Sequence, residues 1–231
     1  MEKKIELDNK VIKIFYKKNS VNQNIPVVIL NLYDGNSEEI WNKTNELSNI
    51  NYILVTISKI DWNKELSPWY MEKLFESEND YDGKADDYLN ILINKIIPEI
   101  EKQINKELNK KVSYFALAGY SLAGMFSIYS LYKTDIFKRI ICCSGSLWYP
   151  NFTHFIQDND LKNLPDKIYF SLGDKESKTK NELMSKVEEN TKLVYNYFNS
   201  MGIEAIYELN EGNHFQDITL RIAKGICWIL K

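Results

Sequence analysis

Tyr114-Phe115-Ala116-Leu117-Ala118-Gly119-Tyr120-Ser121-Leu122-Ala123-Gly124-Met125-Phe126 sets one serine between a short apolar run and a helix-like segment, with small residues on both sides. Where a strand turns sharply into a helix, the apex residue is forced into a strained backbone conformation. Side chains two positions to either side then collide with strand and helix unless they are small. Gly119 and Ala123 meet that demand. The helix N-terminus stands behind Ser121, so the Leu122 backbone N–H and the positive end of the helix dipole point where an oxyanion would form. Strand-like residues 112–117 before the serine and an amphipathic run over 125–132 after it supply the context such a turn needs. Ser121 is therefore the candidate nucleophile.

Working outward, the pattern alternates between strands and helices. Ile5 and Leu7, then Val11, Ile12, Ile14 and Phe15, flank Asp8-Asn9 and predict an N-terminal antiparallel hairpin. Apolar runs at 26–32 and 52–57 read as buried parallel strands, with a helix over 37–47 between them capped by Ser37. Leu89, Leu92, Ile93, Ile96, Ile97, Ile100 and Ile104 recur at helical spacing over 85–108, where Pro98 is expected to kink or restart the helix. Further strands are expected at 139–143, 167–172 and 204–209, with helices at 151–157, 180–201 and 217–230. This order implies an α/β fold, a mostly parallel twisted sheet with helices on both faces. Residues 58–84 lack regular patterning but hold Trp62, Trp69, Tyr70, Phe75 and Tyr81, which argues for an ordered functional loop.

Composition bounds the function. A chain of 231 residues with 44% hydrophobic content can bury one core, so a single domain over 1–231 is expected. The net charge of −3, with both signs interspersed, gives no basic stripe for nucleic acid. No run approaches the roughly 18 apolar residues of a membrane span, and Met1 to Glu6 carry no secretory pattern. A cytoplasmic protein is expected. Three cysteines, two adjacent at Cys142-Cys143, suit a reducing compartment and read as core thiols; no cofactor or metal is expected.

A serine hydroxyl needs a base within reach and a carboxylate to orient that base. The two histidines are His154, on the helix expected at 151–157, and His214, in Glu211-Gly212-Asn213-His214-Phe215 after the last strand. In α/β-hydrolases, which present serine on such a turn, the order is serine, acid, histidine, with the histidine after the last strand. His214 is the candidate base. The acid is expected after the strand at 167–172, where Asp174 and Glu176 are both available and spacing does not separate them. A second oxyanion donor is expected from the turn after the strand at 26–32, around Gly35 and Asn36.

With these pieces in place, the chain resembles the Putative esterase family of α/β-hydrolases. That group includes enterobactin-type siderophore esterases, feruloyl and acetylxylan esterases, S-formylglutathione hydrolases and mycolyltransferases. The resemblance runs from about Pro26 to the C-terminus. It rests on Leu32-Tyr33-Asp34-Gly35-Asn36, Leu66-Ser67-Pro68-Trp69, Gly119-Tyr120-Ser121-Leu122-Ala123-Gly124, Ser144-Gly145-Ser146-Leu147-Trp148-Tyr149, Leu172-Gly173-Asp174-Lys175-Glu176 and Gly212-Asn213-His214. The resemblance favours Glu176 as the acid and Asn36 as the second oxyanion donor, and makes Trp148 and Tyr149 a substrate wall. Ala123 departs from the family's usual glycine. Asp61-Trp62-Asn63 stands where siderophore esterases tend to carry an arginine for an anionic substrate.

The implied function is hydrolysis of a small-molecule carboxyl ester through an acyl-enzyme at Ser121. Trp62, Trp69 and Tyr70 would border the substrate. A second reading keeps the acyl-enzyme and transfers the acyl group to an alcohol or sugar. A third is a non-catalytic binding protein on the same scaffold.

Overall fold

Strands β1 (Glu2–Leu7) and β2 (Lys10–Phe15) form the expected antiparallel hairpin in the computed structural model, which describes residues 1–17, 23–33 and 36–231. Asp8 and Asn9 both turn with positive φ, 50° and 60°, the conformation that lets a two-residue turn follow the twist of its strands. β2 then pairs antiparallel with β4 (Ile53–Ser58), and β4 pairs parallel with β3 (Asn24–Asn31). On the other side of β3 lie β7 (Lys111–Tyr120), β8 (Phe137–Cys143), β9 (Lys167–Gly173) and β10 (Glu204–Asn210), all parallel. The sheet order is β1-β2-β4-β3-β7-β8-β9-β10. β3 and β7 slip register between Ile25 and Val27, at Pro26, which has no N–H for the ladder.

The winding reverses between β3 and β7. The chain leaves β3 for β4 on one side and returns to β7 on the other, which opens a crevice at the carboxyl ends of these two strands. Asn36 follows β3 and Ser121 follows β7, so the topology brings two distant candidates to the same end of the sheet.

Two apolar layers hold the sheet. Val28, Leu30, Ala116, Ala118, Ile141 and Tyr169 pack under Ile40 and Trp41 of α1 (Ser37–Leu47) and Ile222 and Ile226 of α8 (Ile218–Ile229). On the opposite face, Val27, Ile29, Leu117, Ile140 and Phe170 meet α3 (Ala85–Ile91), α4 (Ile97–Leu108), α5 (Leu122–Ser130), α6 (Phe152–Asp158) and α7 (Val187–Ser200). Cys142, Cys143 and Cys227 are buried and unpaired.

Three expectations need correction, and a fourth holds. The run after Ser121 is not amphipathic: all nine residues of α5 are buried, because it is covered by sheet and by neighbouring helices. Ser37 is the first helical residue rather than the cap; its hydroxyl is buried at 2.9 Å from Thr56 Oγ1, and Asn36 occupies the cap position. Pro98 stands where the helix restarts, as expected: a π turn at Leu92–Ile96 precedes it, and Pro98 is second in α4, where a missing N–H is tolerated. The helix expected from 180 begins only at Val187, after a short 3₁₀ turn at Met184–Lys186.

Residues 58–84 are ordered by packing. They contain α2 (Trp62–Glu65) and a small antiparallel pair, β5 (Tyr70–Met71) and β6 (Tyr81–Asp82). Trp69 donates its indole N–H to the Pro150 carbonyl, and Tyr149 donates its hydroxyl to the Trp69 carbonyl. The Trp69 ring lies 5.7 Å from that of Phe155. Lys10 and Glu65, both poorly exposed, pair at 2.8 Å and tie α2 to the hairpin.

A Cβ at Gly119 would lie 2.2 Å from the backbone carbon and oxygen of Ala123, atoms that cannot move without unseating α5. Gly119→Ala is therefore expected to lower the unfolding free energy by at least ~2 kcal/mol in urea titrations. Parent-like stability would contradict the close approach.

Candidate active site

Three loops at the carboxyl ends of β7, β9 and β10 build the site. Ser121 sits at the apex between β7 and α5 with φ 59° and ψ −125°, a conformation that costs a non-glycine residue of order 1–3 kcal/mol. Its backbone is pinned on both sides: the N–H donates to Cys143 O at 2.9 Å, and the carbonyl accepts from Met125 and Ser146. The side chain is thereby held out of the sheet, partly exposed, at the head of a buried helix.

His214 Nε2 lies 3.1 Å from Ser121 Oγ, and its Nδ1 lies 2.7 Å from Glu176 Oε2. The structure thus joins serine, histidine and carboxylate in one hydrogen-bonded series. It also separates the two candidate acids. Asp174 turns its Oδ1 to the Gly212 N–H at 2.8 Å, holding the β9 loop against the β10 loop. Gly173 must lack a side chain for that contact, since a Cβ would lie 2.4 Å from Gly212 O.

Glu176 is nearly inaccessible, and its second oxygen is fully engaged. Oε1 accepts from the Gly173 N–H at 2.6 Å and Arg221 Nη2 at 2.8 Å, with Ser144 Oγ at 2.6 Å. Burial pushes the carboxyl upward, but the hydrogen bond and charge of His214 and the donors Ser144 and Arg221 outweigh it. The pKa is held at about 2.

The Leu122 N–H opens α5, where a first-turn amide has no intrahelical acceptor and the dipole adds positive potential. Asn36 is the cap residue of α1, its carbonyl accepting from Ile40 N–H at 3.2 Å. Gly35, the other residue of the expected donor turn, and Asp34 lie outside the described residues.

The aromatic candidates divide. Tyr149 and Trp148 are buried, and Trp69 is committed to Pro150 and the ring cluster below the loop. Trp62 meets the ring of Tyr33 edge-on at 5.3 Å, and Tyr33 is 75% exposed just after β3. Tyr70 is exposed and donates its hydroxyl to Asp80. His154 is exposed on α6 and joins none of these contacts.

Sequence reasoning missed Arg221, Tyr120 and Ser144 as parts of the site. Ser144 has a positive φ of 44° at the end of β8, a strained position that no residue pattern announced. Arg221 carried one signal: it is one of two arginines in a chain with 27 lysines. Among the described residues, no group of three or more His, Cys, Asp or Glu side chains could hold a metal ion, and no helix is long and apolar enough to cross a membrane.

Comparison with known proteins agrees with this fold. Residues 6–216 match the Putative esterase family. The chain belongs to that family. It has the α/β-hydrolase fold. A curated relative, "Uncharacterized protein YbbA" of Bacillus subtilis (strain 168), is 27% identical over 151 residues, 65% of this chain and 60% of that protein. An IroE-like serine hydrolase from Shewanella oneidensis superposes with a TM-score of 0.80 at 16% identity, over 100% of this chain and 79% of that one. The siderophore hydrolase EstA from Aspergillus nidulans gives 0.74 at 17% identity, over 100% and 93%. The enterobactin esterase FES from Shigella flexneri gives 0.68 at 14%, over 99% and 58%.

The depressed Glu176 pKa implies a stability term. Because the folded value lies below the ordinary 4.5, the term is fully present above 4.5 and is lost as pH falls toward about 2. The gap corresponds to ~3 kcal/mol at most. Urea midpoints of parent and Glu176→Gln, measured across that window, are expected to converge as the solution is acidified. A constant difference would contradict the assignment.

Proposed function

We propose that the chain hydrolyses a small-molecule carboxyl ester through an acyl-enzyme at Ser121. The observation that carries this reading is the series Glu176, His214, Ser121 at the head of α5, with contacts of 2.7 and 3.1 Å. Ser121 Oγ attacks the acyl carbon while His214 Nε2 takes its proton. The carbonyl oxygen becomes an oxyanion, stabilised by the Leu122 and Asn36 amides and by the N-terminal dipole of α5. Collapse breaks the ester C–O bond, and the leaving alkoxide takes the proton from His214. Water then attacks the acyl-enzyme by the same route, returning the acid and the free Ser121 hydroxyl.

Glu176 keeps His214 in the tautomer with the proton on Nδ1 and stabilises the imidazolium that forms. Trp62 beside the exposed Tyr33 offers an aromatic border for the substrate; Trp69, Trp148 and Tyr149 shape that wall from beneath. The structural neighbours include siderophore hydrolases and an enterobactin esterase, which supports a small-molecule ester as substrate class. We place the enzyme in the cytoplasm, where three unpaired buried thiols persist.

With p-nitrophenyl acetate, Ser121→Ala is expected to lower kcat by ~10³-fold or more and to abolish labelling by a fluorophosphonate. Turnover at the parent's rate, or an unlabelled Ser121 in the parent, would overturn the reading. Glu176→Gln is expected to lower kcat by ~10²-fold or more, whereas Asp174→Asn stays near the parent. The reverse ranking would make Asp174 the acid. Water as the acceptor predicts free acetate as the product even with added alcohols; acetyl transfer to the alcohol would favour the acyltransferase reading.

A further inference from the structure

Arg221 is an unusual residue for this chain. Across 231 positions lysine occurs 27 times and arginine twice, so a basic residue here is by default lysine. Arg221 nonetheless sits in the first turn of α8, fully buried beneath the ends of β7, β8 and β9. Its fork reaches three side chains on separate elements: Nη2 to Glu176 Oε1 at 2.8 Å, Nη1 to the Tyr120 hydroxyl at 2.7 Å, and Nε to Ser171 Oγ at 3.2 Å. A lysine ammonium is a point charge and cannot span three such acceptors.

Both main contacts lead to His214. Glu176, fixed at Oε1, presents Oε2 to His214 Nδ1. Tyr120 accepts from Arg221 and donates its own proton to the His214 carbonyl at 2.8 Å. The imidazole is thus steered through its ring and its backbone by one guanidinium.

We propose that Arg221 is a positioning residue that fixes the orientation of His214. This rests on the Ser121, His214, Glu176 reading. The groups facing the Glu176–His214 pair are Arg221 from α8, Tyr120 and Ser121 from β7 and its turn, Cys143 and Ser144 from β8, Tyr207 from β10 and the Phe215 ring. Arg221 supplies the positive charge within that set.

The test is kcat and KM with p-nitrophenyl acetate for the parent, Arg221→Gln, Arg221→Lys and Tyr120→Phe. In all three variants kcat is expected to fall by up to ~10²-fold while KM stays within about twofold of the parent, since the ester still binds and the alignment of His214 is lost. Parent-like kcat in Arg221→Gln overturns the proposal, and so does a loss confined to KM. If that variant does not fold by circular dichroism, the other two decide, and parent-like kcat in both overturns it. Fluorophosphonate labelling of Ser121 in the parent and the ~10²-fold loss of kcat in Glu176→Gln are run alongside. Failure of those controls removes the triad itself, whereas success with parent-like kcat in the Arg221 variants removes only the role of Arg221.

Discussion

The contact of Gly119 with the Ala123 backbone is the constraint on which the molecule turns. It lets β7 run straight into α5 with a single residue at the apex, and that residue takes a φ of 59°. The strain is offset by burial of α5 on every side, with Met125, Phe126 and Ile128 fully inside. Ala123 shows how the family's usual glycine is dispensable at one of the two positions: the tight approach is made by its backbone, against a glycine on the other side. Relaxing the apex would cost the packing of a whole helix, so the serine is held in place by the core.

The remainder of the site is a set of loops locked to that fixed point. Asp174 ties the β9 loop to Gly212, and Lys175 N–H reaches Gly212 O at 3.0 Å, so Glu176 and His214 are held as one unit. That unit meets Ser121 through Nε2 and is anchored beneath by Ser144, Tyr120 and Arg221. A buried carboxylate is costly unless every lone pair is used, and Glu176 meets that demand with donors from four elements. The result is an anion kept ionised far below neutral pH beside an imidazole.

Much of this was legible in the sequence because it followed local rules. The parallel strands are continuous apolar runs, the hairpin carries Asp8-Asn9 where positive φ is needed, and the elbow demands small residues around Ser121. That His214 would meet Ser121 was readable from chain order. The choice between Asp174 and Glu176 was not readable from spacing, because it depends on which carboxylate meets Arg221 and which meets a backbone amide 38 residues away. Arg221 and Tyr120 were hidden for the same reason: their partners come from α8, β9 and β10 and meet only after the sheet has formed. The roles of Trp69 and Tyr149 were equally illegible, since an aromatic residue in a loop reads the same whether it faces a substrate or supports the loop.

The central claim is that Ser121 becomes covalently acylated during turnover. The direct measurement is acid quench of the enzyme reacting with p-nitrophenyl acetate, followed by digestion and mass analysis of the peptide carrying Ser121. The account predicts one added acetyl group, on Ser121, appearing together with a stoichiometric burst of nitrophenolate. Steady turnover with no acetyl adduct on that peptide would contradict it.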